Sequence, residues 1–130
     1  MEQIEIIVPG EPYPWGIQAF TLGRHAALRD KPHSKEYKRR VAAAARRQYH
    51  GQLLEGPLRV NFLFCLTRPK SVTREFPSVK PDLTNLRKAA EDGLTGLIWK
   101  DDAQVIEGES VKCYAGEDGP HTKIWIRGLV

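Results

Sequence analysis

Residues 80–107 read KPDLTNLRKAAEDGLTGLIWKDDAQVIE, and this stretch combines a helix pattern with a group of acidic residues. Pro81 disfavours helix at the residue before it, and Thr84 is a suitable N-cap. We therefore predict a helix from Thr84 to about Ile98, with Asp82 just ahead of its start. The residues that follow predict a strand over 103–114.

The predicted helix has one polar and one apolar face. At about 100° per residue, its apolar positions fall together, opposite the polar ones. The apolar face consists of Leu86, Ala90, Gly93 and Leu97. The polar face consists of Thr84, Asn85, Lys88, Glu91, Asp92 and Thr95. Asp101 and Asp102 follow where the chain turns into the strand, so we expect Asp102 to return beside the polar face.

The remaining elements follow from periodicity and turn residues. We predict strands over residues 3–8, 57–66 and 122–127, a hairpin over 18–29 that turns at Gly23-Arg24, and a helix from Ser34 to about Tyr49. Residues 67–81 lack periodicity and hold three prolines and four cations, which indicates a long basic loop. A turn at residues 116–120 predicts that the last two strands are antiparallel neighbours. The predicted fold is α+β, a small mixed β-sheet packed against two main helices.

The composition is that of one globular domain spanning residues 1–130. Hydrophobic residues make up 41% and charged residues 28%, which excludes a disordered chain. No apolar run reaches the roughly 18 residues of a membrane helix, and the acidic, alternating start is unlike a signal peptide. Cys65 and Cys113 lie in apolar runs and are expected to be buried, reduced thiols. We therefore expect a cytoplasmic protein with no membrane partner.

Charge is distributed unevenly along the chain. Residues 1–80 hold 14 Lys and Arg against 7 Asp and Glu, whereas residues 81–130 hold 6 against 9. The basic part suits a polyanionic partner, because Lys and Arg gain affinity for phosphate by releasing counterions. The acidic part suits a metal ion, because gathered carboxylates repel one another without a cation and Mg²⁺ prefers oxygen ligands. The alternative is ordinary surface charge on a solvated helix face.

Two motifs within residues 80–107 resemble the RusA family of Holliday-junction resolvases. The family hallmark is Asp-Leu-Asp-Asn-Leu-x-Lys followed by Asp-Asp-x-Gln-Val. This chain has Asp82-Leu83-Thr84-Asn85-Leu86-Arg87-Lys88 and then Asp101-Asp102-Ala103-Gln104-Val105. Supporting features are the early Pro9-Gly10-Glu11-Pro12, Tyr37-Lys38 in the basic helix, Arg68-Pro69-Lys70, and the turn at Gly116. The resemblance spans nearly the whole chain.

The resemblance implies a Mg²⁺-dependent endodeoxyribonuclease, with Mn²⁺ able to substitute and no small-molecule cofactor. Asp82 and Asp102 match the family's metal ligands, and Lys88 matches its motif lysine. Where the family pattern has a second aspartate, this chain has Thr84. Glu91 lies about two turns further along the same helix face, so we expect it to replace that carboxylate in metal binding and catalysis. The weaker candidates for this ligand are Asp92 and Asp101.

The implied partner is branched DNA, bound by a homodimer in a bacterial or phage-infected host cell. Two symmetric nicks in a four-way junction need two active sites. The expected phosphate contacts come from the basic helix and the basic loop, so recognition should rest on the DNA backbone and shape. The candidates are Lys35, Arg39, Arg46, Arg68, Lys70, Arg74 and Lys80.

Two other functions remain open at this point. One is a non-catalytic relative that binds branched DNA and has lost a metal ligand at Thr84. The other is a basic structural protein that binds RNA, although no aromatic RNA-recognition motif is present. The four histidines lack metal-ligand spacing and are expected at the surface. The three tryptophans are interpreted as core or interface residues.

Overall fold

The computed structural model describes residues 3–130. Met1 and Glu2, which begin the acidic start of the chain, lie outside the described residues. The strands are β1 (Ile4–Pro9), β2 (Ile17–Leu22), β3 (His25–Asp30), β4 (Leu58–Leu66), β5 (Val105–Glu107), β6 (Ser110–Tyr114) and β7 (His121–Gly128). The α-helices are α1 (Pro32–Gln48) and α2 (Leu83–Leu94), and a 3-10 turn covers Asp102–Gln104. The α+β prediction, a mixed sheet with two helices, is confirmed.

The main sheet is built around β4. On one side, β4 pairs antiparallel with β7, and β7 pairs antiparallel with β1. On the other side, β4 pairs parallel with β5 and β6. The predicted hairpin is present as the separate pair β2–β3, which turns at Gly23, where φ is +64°. Residues 67–81 form a loop without helix or strand, as predicted.

The prediction that the last two strands are neighbours is wrong, because β4 lies between them. The backbone N–H of Ala115 donates to the carbonyl of Leu66 at the end of β4, so the chain crosses over that end before β7 begins. The predicted strand over residues 103–114 is also interrupted. At Gly108, where φ is +140°, a Cβ atom would lie only 1.8 Å from the Val60 carbonyl oxygen. This close approach separates β5 from β6.

The core lies between the helices and one face of the sheet. Alternate residues of β4, including Val60, Phe62 and Phe64, are buried against α1 and α2, as the period of two predicts. The Tyr37 hydroxyl of α1 forms a buried hydrogen bond of 2.6 Å with Thr122 of β7. Gly93 allows the helices to approach closely, because a Cβ there would lie 2.8 Å from the Val41 Cβ.

Both helices begin earlier than predicted. Helix α1 begins at Pro32. Proline suits the first helical turn, because a backbone N–H at that position would have no intrahelical acceptor and its absence costs nothing. Ser34 is therefore buried inside the helix, where its Oγ accepts a hydrogen bond from the Gly16 N–H. Helix α2 has Asp82, not Thr84, at its N-cap. It ends at Leu94 because Gly96 adopts a φ of +87°.

None of the helices within residues 3–130 is long and apolar enough to cross a membrane. Cys65 and Cys113 are both free thiols. The prediction that both are buried holds for Cys65, whereas Cys113 is partly exposed.

Candidate metal and DNA site on helix α2

The N-terminal end of α2 borders a cleft that contains Asp82. The exposed Asp82 carboxylate lies at the N-cap and makes no capping hydrogen bond. The cleft has a volume of about 390 Å³ and is lined by Pro14, Trp15, Lys31, Lys80, Pro81, Asp82 and Asn85. It therefore combines a carboxylate, two ammonium groups, an amide and an indole ring. Such a set can hold a divalent cation beside a phosphate.

Lys88 is held beside this cleft by Trp15. The Lys88 Nζ lies 4.3 Å from the centroid of the Trp15 ring, which is a cation–π contact. Trp15 is itself tied to α2, because its backbone N–H donates to the Asn85 carbonyl at 2.8 Å. The ring thus limits where the exposed lysine can point.

Asp102 lies at the opposite end of α2. Its Oδ1 accepts a hydrogen bond of 3.2 Å from the buried Trp99 indole and also bonds to the hydroxyl of Thr95, the C-cap residue. Asp101 instead has a local role, because its Oδ1 accepts the Ala103 N–H at 2.9 Å and caps the 3-10 turn. Both carboxylates are exposed, and Asp102 is the one that contacts the C-terminal end of α2.

Glu91 lies between these two ends on the same helix. Its Oε1 accepts a hydrogen bond of 2.6 Å from the Arg87 guanidinium. Burial raises the pKa of Glu91, the Arg87 charge opposes this rise, and the nearby Asp102 and Asp92 charges add to it. Asp92 is occupied by Lys38, whose Nζ lies 3.2 Å away. Glu91 is thus electrostatically close to Asp102.

The length of α2 separates the expected metal ligands. Twelve residues at 1.5 Å each make the helix about 18 Å long, and Mg²⁺ binds its ligands at about 2 Å. One ion therefore cannot contact Asp82 and Asp102 of the same chain. Accordingly, residues 3–130 contain no cluster of three acidic, histidine or cysteine side chains suited to a metal ion. The helical wheel predicted the shared face correctly but did not include distance along the axis.

Comparison with known proteins identifies the family. The family model described as Endodeoxyribonuclease RusA matches residues 9–127. The chain belongs to the RusA endodeoxyribonuclease family. Among curated proteins, it is 30% identical over 140 residues to "Uncharacterized protein YqaN" of Bacillus subtilis (strain 168), an alignment covering 98% of this chain and 97% of that protein. Family membership supports endodeoxyribonuclease activity and action on branched DNA junctions in general.

The exposed cations of this RusA-family chain lie beside both ends of α2. Lys35, Arg39 and Arg46 line a groove of about 420 Å³ between α1 and the C-terminal end of α2. Within residues 3–130, none of these three forms an ion pair. Lys80 lies in the cleft of Asp82. Each end of the helix therefore has cations that can contact a phosphate backbone.

Two cations of the basic loop, Arg68 and Arg74, contact the Tyr114 ring. The Arg68 guanidinium donates to the Arg74 carbonyl at 2.7 Å and lies 4.6 Å from the Tyr114 ring centroid. Lys112 Nζ donates to the Pro81 carbonyl at 2.9 Å and to the Val79 carbonyl at 2.7 Å, next to Asp82. Arg68 therefore has a structural role in the loop. Arg74 is exposed but lies 6.0 Å from the same Tyr114 ring centroid, and Lys70 is exposed.

Trp15, Lys31 and Lys112 shape the site in ways that the sequence does not predict. Trp15 is interpreted from the sequence as a core or interface residue, and it does pack against the core, but it also contacts Lys88. Lys31 and Lys112 belong to no motif in the sequence. Each of these three residues lies far in sequence from the motif on α2, so no local pattern connects it to the site.

Proposed function

We propose that this protein is a Mg²⁺-dependent endodeoxyribonuclease that resolves four-way DNA junctions as a homodimer. The observation that carries the proposal is the placement of acidic residues on α2. Asp82 lies at one end of the helix, and Asp102 with Glu91 lies toward the other, each end beside exposed cations. A basic surface alone would support DNA binding, whereas exposed carboxylates facing bound phosphates are needed for metal-dependent cleavage.

In the proposed dimer, each metal site combines residues of two chains. A two-fold axis that crosses α2 near its middle would align the two helices antiparallel. Asp82 of one chain would then meet Asp102 of the partner subunit, and symmetry would create a second, equivalent site. This arrangement supplies the ligands that the length of α2 keeps apart within one chain. It also explains why two sites would act on one junction.

The donor chemistry of these residues fits Mg²⁺. Carboxylate oxygens are the ligands that this ion prefers, and it commonly uses one or two of them while keeping several waters. We assign metal binding to Asp82 from one chain, with Asp102 and Glu91 from the other. When bound, the ion would supply Lewis-acid activation of water and of the scissile phosphate. The Glu91 carboxylate compensates for the acidic residue missing at Thr84.

Lys88 would stabilise the negative charge that develops on the phosphate during hydrolysis. Its contact with Trp15 would orient this positive charge beside the Asp82 cleft. A charge oriented before the reaction lowers the barrier more than a freely moving one, because no reorganisation is needed. Lys35, Arg39, Arg46, Lys70, Arg74 and Lys80 would contact the arms of the junction through their phosphates.

Cleavage of a synthetic four-way junction tests the proposal. We expect paired nicks in Mg²⁺, no cleavage with EDTA, and recovery when Mg²⁺ or Mn²⁺ is restored. Tight binding of an intact junction across a broad range of both ions would instead identify a non-catalytic relative. A linear duplex of the same sequence is the control for structure selectivity, and equal cleavage of both substrates would contradict junction resolution.

A further inference from the structure

Cys65 and Cys113 lie side by side on neighbouring strands. They occupy directly paired positions of the parallel strands β4 and β6, and their Sγ atoms are 3.6 Å apart. Neighbouring strands bring paired Cα atoms to about 5 Å, which lies within the range that a disulfide can bridge. The two sulfurs are therefore in contact and need only a short movement to form a bond.

The two thiols differ in their access to solvent. Cys65 is 5% exposed, whereas Cys113 is partly exposed. Burial raises the pKa of the Cys65 thiol, and the neighbouring Cys113 adds to this rise. Because Cys113 is the more exposed of the two, it is the thiol that an oxidant in solution meets first. Cys65 is placed to react in a second step.

Both cysteines lie on strands that contact the basic loop, residues 67–81. Cys65 lies near the end of β4, just before this loop begins. On β6, the neighbours of Cys113 contact the same loop: Lys112 donates to the Pro81 carbonyl, and Tyr114 packs under Arg68. A covalent link at this position would connect the start of the loop to the strand that supports its far end.

We propose that Cys65 and Cys113 form a reversible redox site, which low-molecular-weight disulfides convert to an intramolecular disulfide. The Cys113 thiolate attacks one sulfur of the small disulfide, and the other sulfur leaves as a thiolate that takes a proton from water. Cys65 then gives its proton to water and attacks the Cys113 sulfur, expelling the second small thiolate. Two protein thiols are oxidised, and one small disulfide is reduced to two thiols. This site does not depend on the proposed nuclease function.

Glutathione disulfide is the probe, with thiol titration and intact mass as readouts. We expect wild-type protein to lose both thiols without retaining glutathione, and dithiothreitol to restore them. Cys65→Ser should stop at a mixed disulfide on Cys113, because the second thiol is absent. Cys113→Ser should react much more slowly, since Cys65 is buried. Retained glutathione on wild-type protein, or a disulfide between two chains on a non-reducing gel, would overturn the proposal.

Thermal unfolding shows whether the bond forms in the native fold. The link would close a 48-residue separation in sequence and restrict the unfolded chain, so we expect a higher Tm for the oxidised protein. Reduction should return the Tm to its starting value. A lower Tm after oxidation would mean that the sulfurs meet only in a distorted structure, and the proposed site would be wrong.

Discussion

The amino group of Lys88 lies over the indole ring of Trp15, 4.3 Å from its centroid. The lysine belongs to the motif on α2, and the tryptophan belongs to the irregular segment between β1 and β2. This contact connects the motif lysine to the cleft that holds Asp82. It gives Trp15 a role in orienting a charge that family resemblance assigns to catalysis.

Replacing Trp15 should therefore slow cleavage more than it weakens binding. We expect Trp15→Leu to lower the single-turnover rate roughly fivefold, because removing a cation–π interaction of about 1 kcal/mol frees Lys88. Trp15→Phe keeps an aromatic face and should retain most of the rate. Cleavage rates at saturating protein and junction affinities give the two readouts. Equal rates for the Leu and Phe variants would show that the ring does not act through Lys88.

Neutralising Asp82 should separate binding from cleavage. Asp82→Asn keeps the size of the side chain but removes a proposed metal ligand, so cleavage should be lost. Junction binding should stay equal or become tighter, because one negative charge facing the phosphates is gone. Cleavage and gel-shift assays on the same preparation test this. Asp82 is exposed at the helix N-cap, so the change should not affect folding. Joint loss of folding and binding would contradict the prediction and indicate a structural role.

Glu91→Gln tests whether this carboxylate replaces the one missing at Thr84. The neutral amide keeps the size of the side chain and can still accept a hydrogen bond from Arg87, so the loss of stability should be about 1 kcal/mol. Cleavage should fall strongly or require much more Mg²⁺. Glu36→Gln is a matched control, because Glu36 also pairs with an arginine one helical turn away.

A rescue variant sharpens the test of Glu91. Thr84→Asp combined with Glu91→Gln restores a carboxylate at the family position and should recover part of the activity. If Glu91→Gln cleaves normally at limiting Mg²⁺, Glu91 is only a surface partner of Arg87.

Removal of cations should change the salt dependence of junction binding. Replacing Arg39, Arg46, Lys70 and Arg74 with Gln should lower the slope of log K against log [salt] by roughly 0.9 for each phosphate that the variant no longer neutralises. Arg59 and Arg127 occupy paired positions of β4 and β7 and are exposed, so replacing both with Gln is a control on another surface, compared per charge removed. An unchanged slope in the fourfold variant, or an equal change in the control pair, would place DNA on another surface.

The sequence predicts local elements well where one face is buried. The alternation of Val60, Phe62 and Phe64 predicts β4 correctly, because a half-buried strand has a period of two. The apolar face of α2 is likewise predicted correctly by Leu86, Ala90 and Gly93. The end of α2 is not predicted correctly. The helix stops at the conformation of Gly96, which depends on how the following turn packs.

Relationships between distant segments could not be read from local patterns. The wheel places Thr84 and Glu91 on one face, but it gives no distance between Asp82, which precedes the helix, and Asp102, which follows it. The insertion of β4 between β6 and β7 depends on pairing across the whole chain. The Lys88–Trp15 contact likewise arises from packing of the segment between β1 and β2 against α2.

Two co-purified heterodimers test the composite metal site most directly. The first joins an Asp82→Asn chain to an Asp102→Asn chain, and the second joins a wild-type chain to a chain with both changes. In the first, one site would combine Asp82 with the partner subunit's Asp102 and should nick one strand of the junction. In the second, both sites would lack one ligand and should be inactive. The opposite pattern, an inactive first heterodimer and an active second one, would show that each chain carries its own complete site and would contradict the proposal.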